Sequence, residues 1–211
     1  DIVILGARGF GKDLLCLLEN NNRDNRQWNI LGFVDSEKSG GEPVKGYGII
    51  GDDTWLLRYP HPIHVACGLG NPALRRKVVQ TYKREAYNIS FPVLISHTAD
   101  VSEHTVLEEG CVVCSGVRIA PNVKLGAFTA LNLNCTVGHD TTLQEFCMVN
   151  PGANVSGNVW IGNDCEIGTG ACIIQGRRLG PKTVVGAGSV IIRDIPGYCT
   201  VVGNPGRILE R

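Results

Sequence analysis

IAPNVK LGAFTA LNLNCT VGHDTT LQEFCM VNPGAN VSGNVW IGNDCE IGTGAC, residues 119–172, opens every block of six on Ile, Leu or Val. The register extends without insertion to residue 95 on one side and residue 196 on the other, seventeen blocks in all. A six-residue period fits neither an α-helix, whose faces recur at 3.6, nor a strand alternating at 2. Sustained over half a chain, it predicts a solenoid of short strands and tight corners. The specific expectation is a left-handed parallel β-helix with three hexads to a triangular turn. Residues 18 apart then stack, so the sequence can be read in columns.

The interior of that solenoid accounts for the cysteines. Cys111, Cys135, Cys147 and Cys165 all occupy the fifth hexad position, shared with small or β-branched residues such as Ala99, Val117, Thr129 and Ala153. There they are expected to act as small buried hydrophobes of a reducing compartment, not as a disulfide framework. Twenty-seven glycines suit a repeat rich in corners. Twenty basic and twenty acidic residues cancel, and this neutrality gives no support to a nucleic-acid or membrane partner, either of which would favour a basic surface. No apolar run approaches the ~18 residues of a membrane span, and no secretory leader is read. The expected location is cytoplasmic.

The residues before the repeat have another pattern. An apolar run, residues 2–7, leads through GARGFG to a helical period beginning at Lys12. ILGFVD places Asp35 at the tip of a second strand, and a short helix is expected after Asp52 and Asp53. HVACGLGN reads as a third strand and its exit loop, and Pro72 as the start of a helix through RRKVVQTYKRE. Strand, glycine turn, helix, and strand ending in an acid is a Rossmann-like α/β pattern. The predicted division is a Rossmann-like domain over 1–92 and a β-helix domain over 93–211. A rigid junction is expected near Pro92, and a C-terminal cap after Pro196.

Gly6, Gly9 and Gly11 do not have the dinucleotide spacing. They fit either a bare βα turn or a loop whose amides face a phosphate. A redox cofactor is disfavoured by that spacing. Asp35 is placed to accept from a ribose hydroxyl, or is a solvated acid.

The column through His139 is Glu103, Pro121, His139, Gly157, Gln175 and Arg193. A corner histidine can face outward, and Gly157 one turn on is expected to leave room for a slender ligand. His is suited to proton transfer near neutrality, Asp140 could support it, and corner amides could stabilise an oxyanion. Alternatively, His139 and Asp140 are a polar corner pair. His61, His64, His97 and His104 read as loop or domain-junction residues. No second histidine lies near His139 in the columns, so no metal is expected.

GARGFGK, FVDS, the hexads, VGHD and the terminal VVGNPGRIL together resemble bacterial sugar acyltransferases of the sialic-acid O-acetyltransferase family. They are most similar to its nucleotide-amino-sugar N-acetyltransferases. The resemblance covers nearly the whole chain. It implies a homotrimer with active sites between subunits, a nucleotide-sugar substrate held by the N-terminal domain, and acetyl-CoA in the groove between helices. It implies His139 as base and Asp140 as its support. Arg8, Gly9, Phe10, Asp35, Gly70, Asn71 and Asn132 fall on the substrate side. Gly157 and Ala187 fall on the CoA side, with Met148 where some members carry a second His. N-acetylation is the leading expectation. O-acetylation of sialic acid or another sugar, and a non-catalytic scaffold, are the alternatives.

Overall fold

The computed structural model describes residues 1–24, 26–36 and 43–209. They form two compact units, Asp1–His97 and Thr98–Arg211.

The first unit is a parallel five-stranded sheet in the order β3-β2-β1-β4-β5. Its strands are β1 (Ile2–Leu5), β2 (Ile30–Val34), β3 (Ile49–Gly51), β4 (Ile63–Cys67) and β5 (Ile89–Ser90). All four residues of β1 are buried, as a central parallel strand covered on both faces requires. Helices α1 (Gly9–Asp24), α2 (Asp53–Leu57) and α3 (Pro72–Glu85) connect the strands. Leu14, Leu15, Leu17 and Leu18 bury the apolar stripe of α1. Asp52 caps α2 by accepting from the Trp55 amide, and Asn71 caps α3 by accepting from the Leu74 amide. The strand expected at HVAC is therefore the fourth. β3 has only three residues and sits at a sheet edge; residues 37–42 before it lie outside the described residues.

The second unit is the left-handed parallel β-helix. Its two-residue strands end on the first hexad position, as in Arg118–Ile119, Lys124–Leu125, Ala130–Leu131, Thr136–Val137 and Thr142–Leu143. Each pairs in parallel with the strand 18 residues on: Arg118 with Thr136, Lys124 with Thr142, Ala130 with Met148. Leu125, Leu131, Val149, Ile161 and Ile173 are fully buried.

From Gly110 to Gly188, each corner passes through a left-handed residue at hexad position four. Gly, Asn and Asp supply most of them, among them Asn122, Asn134, Asp140, Asn158 and Gly176. These residue types tolerate that region best. Phe128 and Phe146 adopt it too, one coil apart, with their rings stacked at 5.0 Å between centroids. At the C-terminal end, Thr200–Val202 continues one sheet alongside Val184–Val185, and antiparallel Arg207–Ile208 then covers its edge.

The fifth-position cysteines are buried and also hydrogen-bonded. Cys135, Cys147 and Cys165 donate to the carbonyls of Asn150, Gly162 and Gly180 at 3.1, 3.1 and 3.2 Å. Thr129 and Thr141 make the same contact to Gln144 and Ser156 at 2.7 and 3.0 Å. Thiol and hydroxyl thus alternate as donors to the next coil. Burial pushes the Cys135 thiol up to about 11.

All nine cysteines are free, and six of them are buried. A disulfide-forming reagent should therefore titrate no more than three thiols in the native protein, at Cys16, Cys172 and Cys199, and nine after denaturation. Rapid native reaction of a fourth thiol would contradict this packing.

Candidate active site

The glycine loop separates into packing and open positions. Gly6 has φ +95°, and a Cβ on Gly11 would lie 1.9 Å from the Gly6 carbonyl oxygen. A Cβ on Gly68 would lie 2.6 Å from the Gly11 Cα. Gly6, Gly11 and Gly68 therefore let α1 pack tightly onto β1 and β4. Gly9, in the first turn of α1, faces open space.

A cleft of about 380 Å³ opens at the C-terminal ends of these strands. Arg8, Asp35, Gly70 and Asn71 line it together with Ser36 and Asp53. Asp35 Oδ2 accepts from the Ala7 amide at 2.8 Å, which ties the tip of β2 to the glycine loop. Arg75 is buried and donates through Nη1 to the Leu69 carbonyl at 3.0 Å, shaping the loop behind Gly70. Phe10 does not line the cleft; it is buried.

The sequence reading did not anticipate Asp53 in this cleft. Its carboxylate accepts from Tyr82 on one oxygen and from the Ser36 hydroxyl at 2.5 Å on the other. Burial, then the Asp53 contact, push the Tyr82 phenol up. These three residues are far apart in sequence, in the turn after β2, at the start of α2 and in α3. Only the N-capping pattern around Asp52 marked this stretch.

In the β-helix, His139 and Asp140 form a corner just after the strand Thr136–Val137. His139 Nδ1 lies 2.7 Å from Asp140 Oδ2, with the two side chains 54% and 45% exposed. The other carboxylate oxygen accepts from Asn122 Nδ2 at 3.0 Å. His139 first, and Asn122 second, hold the Asp140 carboxyl below its usual range. Asn122 was missed, although it stands 18 residues before Asp140 in the same column.

Gly157 departs from expectation. The space above its Cα is filled by the imidazole: an added Cβ would meet His139 Nε2 at 2.7 Å and Cε1 at 2.8 Å. The glycine makes room for the histidine ring itself. A groove of about 560 Å³ reaches this corner through Pro121, Gly138 and Ser156, along the face of Arg118–Ile119, Thr136–Val137 and Asn154–Val155.

The other expected residues lie elsewhere on the prism. Asn132 is buried after the strand Ala130–Leu131, with its Oδ1 accepting from the Leu133 amide at 2.7 Å. Ala187 follows Val184–Val185 on that same edge and is exposed. Met148, in the strand Met148–Val149, is 3% exposed. Among the described residues, no group of three or more His, Cys, Asp or Glu is placed to hold a metal ion. No helix among them is long and apolar enough to cross a membrane.

Residues 1–82 match the PglD N-terminal domain family. The acetyltransferase domain of PglB from Neisseria gonorrhoeae is 32% identical, with 99% of this chain and 98% of that one covered and a TM-score of 0.89. A second structure of that domain contains acetyl coenzyme A. PerB from Caulobacter crescentus, in complex with CoA and GDP-perosamine, is 28% identical with a TM-score of 0.89 over 99% of this chain and 97% of that one. The GDP-perosamine N-acetyltransferase of Escherichia coli O157:H7 is 26% identical over 99% of this chain and 96% of its own length. By its N-terminal domain, its hexad solenoid and its end-to-end similarity to these acetyltransferases, the chain belongs to the sugar acetyltransferases of the left-handed β-helix family.

Proposed function

We propose that the protein transfers the acetyl group of acetyl-CoA to the amino group of a sugar linked to a nucleoside diphosphate. The observation that carries the reading is the imidazole of His139, oriented through Nδ1 by Asp140 at 2.7 Å. The opposite nitrogen, Nε2, is then the base. As the amine attacks the thioester carbonyl, a C–N bond forms and Nε2 takes the amine proton. Collapse of the tetrahedral intermediate breaks the C–S bond, and the proton passes to the departing sulfur. The developing oxyanion needs a donor. The Gly157 amide supports that role, since among the described residues it makes no backbone hydrogen bond.

The cleft of the first unit is assigned to the nucleotide. The open first turn of α1 at Gly9 suits a phosphate, and Asp35 at the strand tip suits a ribose hydroxyl. Arg8 adds a cationic group beside it. Phe10, being buried, serves through backbone and packing.

The proposed assembly is a homotrimer. His139, Asp140 and Gly157 occupy one edge of the prism, whereas Asn132 and Ala187 occupy another. A neighbouring copy can set its second edge against the first, which one chain cannot do for itself. The proposed location is the cytoplasm, in keeping with nine free thiols.

Release of CoA thiol should be measured against a panel of GDP- and UDP-linked amino sugars, GDP-perosamine included, with free sialic acid and unmodified sugars beside them. Turnover confined to nucleotide-linked amino sugars is expected, and turnover of sialic acid alone would overturn the reading. Asp35→Asn keeps an acceptor for the Ala7 amide but removes the charge. It should raise KM for the sugar nucleotide about tenfold and leave kcat within about twofold. An unchanged KM would remove Asp35 from the nucleotide site.

A further inference from the structure

We infer that Asn122 is a positioning residue of the acetyl transfer, fixing the Asp140 carboxylate that orients His139. The inference rests on the base reading of His139 given above. Its geometric basis is a short chain across two coils: Asn122 Nδ2 to Asp140 Oδ1 at 3.0 Å, then Asp140 Oδ2 to His139 Nδ1 at 2.7 Å.

The backbone sets this chain up. Asn122 and Asp140 occupy the same corner position one coil apart, with φ 60° and 57°. The Asp140 amide donates to the Pro121 carbonyl at 3.1 Å, which fixes the two corners in register. Both side chains then leave the corner from equivalent, left-handed residues. The amide of Asn122 meets the near oxygen of Asp140 and leaves the far one for the imidazole.

A carboxylate needs such a constraint here. The Asp140 side chain is 45% exposed, and water competes for both oxygens. With Oδ1 held by a donor on the preceding coil, rotation that would carry Oδ2 away from Nδ1 is opposed. The Asn122 donor also favours the ionised carboxylate, the form that accepts from the imidazole. A left-handed corner alone does not demand this arrangement. The same column continues as Asn158 and Gly176, both at positive φ; Asn158 stands one coil beyond Asp140, yet the donor to that carboxylate is Asn122.

Glycine isolates the side chain from the corner geometry, because it takes positive φ without strain. Asn122→Gly should lower kcat about tenfold, with KM for acetyl-CoA and for the sugar nucleotide within about twofold. Asp140→Gly should lower kcat about a hundredfold. In the double variant, the loss of Asn122 should add less than about twofold to the loss of Asp140, because Asn122 acts only through that carboxylate.

Two outcomes would overturn the role of Asn122 while leaving the base reading intact. One is wild-type turnover by Asn122→Gly beside an impaired Asp140→Gly. The other is a full tenfold cost of Asn122→Gly on top of Asp140→Gly, which marks general disturbance of the corner. Wild-type turnover by Asp140→Gly would overturn both the orienting role of Asp140 and the inference built on it.

Discussion

His139→Ala is expected to reduce kcat by about 10²–10⁴, the range that a positioned general base contributes. KM for either substrate should change little, since the imidazole acts on a proton that moves only during reaction. Stability should also change little. The side chain is 54% exposed, its hydrogen bond is to an Asp140 that is itself 45% exposed, and such solvent-screened pairs contribute little to stability. The thermal midpoint of the variant should therefore stay within a few degrees of wild type. The measurement is steady-state thiol release with saturating sugar nucleotide, paired with a melting curve. Wild-type turnover with the true acceptor would remove His139 from the mechanism. Loss of activity accompanied by early unfolding would show instead that the corner depends on the ring.

The period of six made the solenoid legible because it is a local, repeated constraint. One aliphatic residue per hexad specifies each inward strand position, and an uninterrupted register gives the pairing of residues 18 apart. The same columns placed His139 beside Gly157 correctly. They gave adjacency but not side-chain direction, so the ring now found over Gly157 could not be distinguished from an empty passage. Asn122 was missed for a related reason: the column through His139 was followed and the column through Asp140 was not. Phe128 and Phe146 at left-handed corners were beyond the pattern, because their stacked rings belong to tertiary packing that overrides residue preference.

The α/β unit was legible where single elements carry their own signals. The buried apolar run of β1, Asp52 before α2, and Asn71 with Pro72 at the start of α3 are such signals. The three-residue β3 carried too little periodicity to be seen. The network of Ser36, Asp53 and Tyr82 joins the turn after β2 to α2 and α3, a tertiary meeting that no local pattern encodes. Asp35 illustrates both sides. Its position at the strand tip was readable, whereas its hydrogen bond to Ala7 required the glycine loop to fold back on it.

Gly157→Ala tests the contact that the columns misread, and its effect on turnover should approach that of removing the base. The backbone there is not at positive φ, so alanine is conformationally acceptable. The added methyl would stand 2.7 Å from Nε2 and 2.8 Å from Cε1 of His139, closer than van der Waals contact allows. Backbone atoms of two stacked coils cannot separate easily, but an exposed imidazole can swing away. The ring should therefore move, at small cost to folding and large cost to catalysis. Displacement of a reacting group by about 1 Å can cost about 10² in rate, and the Nδ1 contact to Asp140 would be strained by the same movement. The expected result is a kcat lower by about 10², with the thermal midpoint little changed. CoA binding, measured separately by calorimetry, distinguishes a displaced base from a blocked donor site: retained affinity with low kcat identifies the base. Wild-type kcat would mean that Nε2 does not need the position it holds over Gly157, and the proton transfer would then have to be assigned to another geometry.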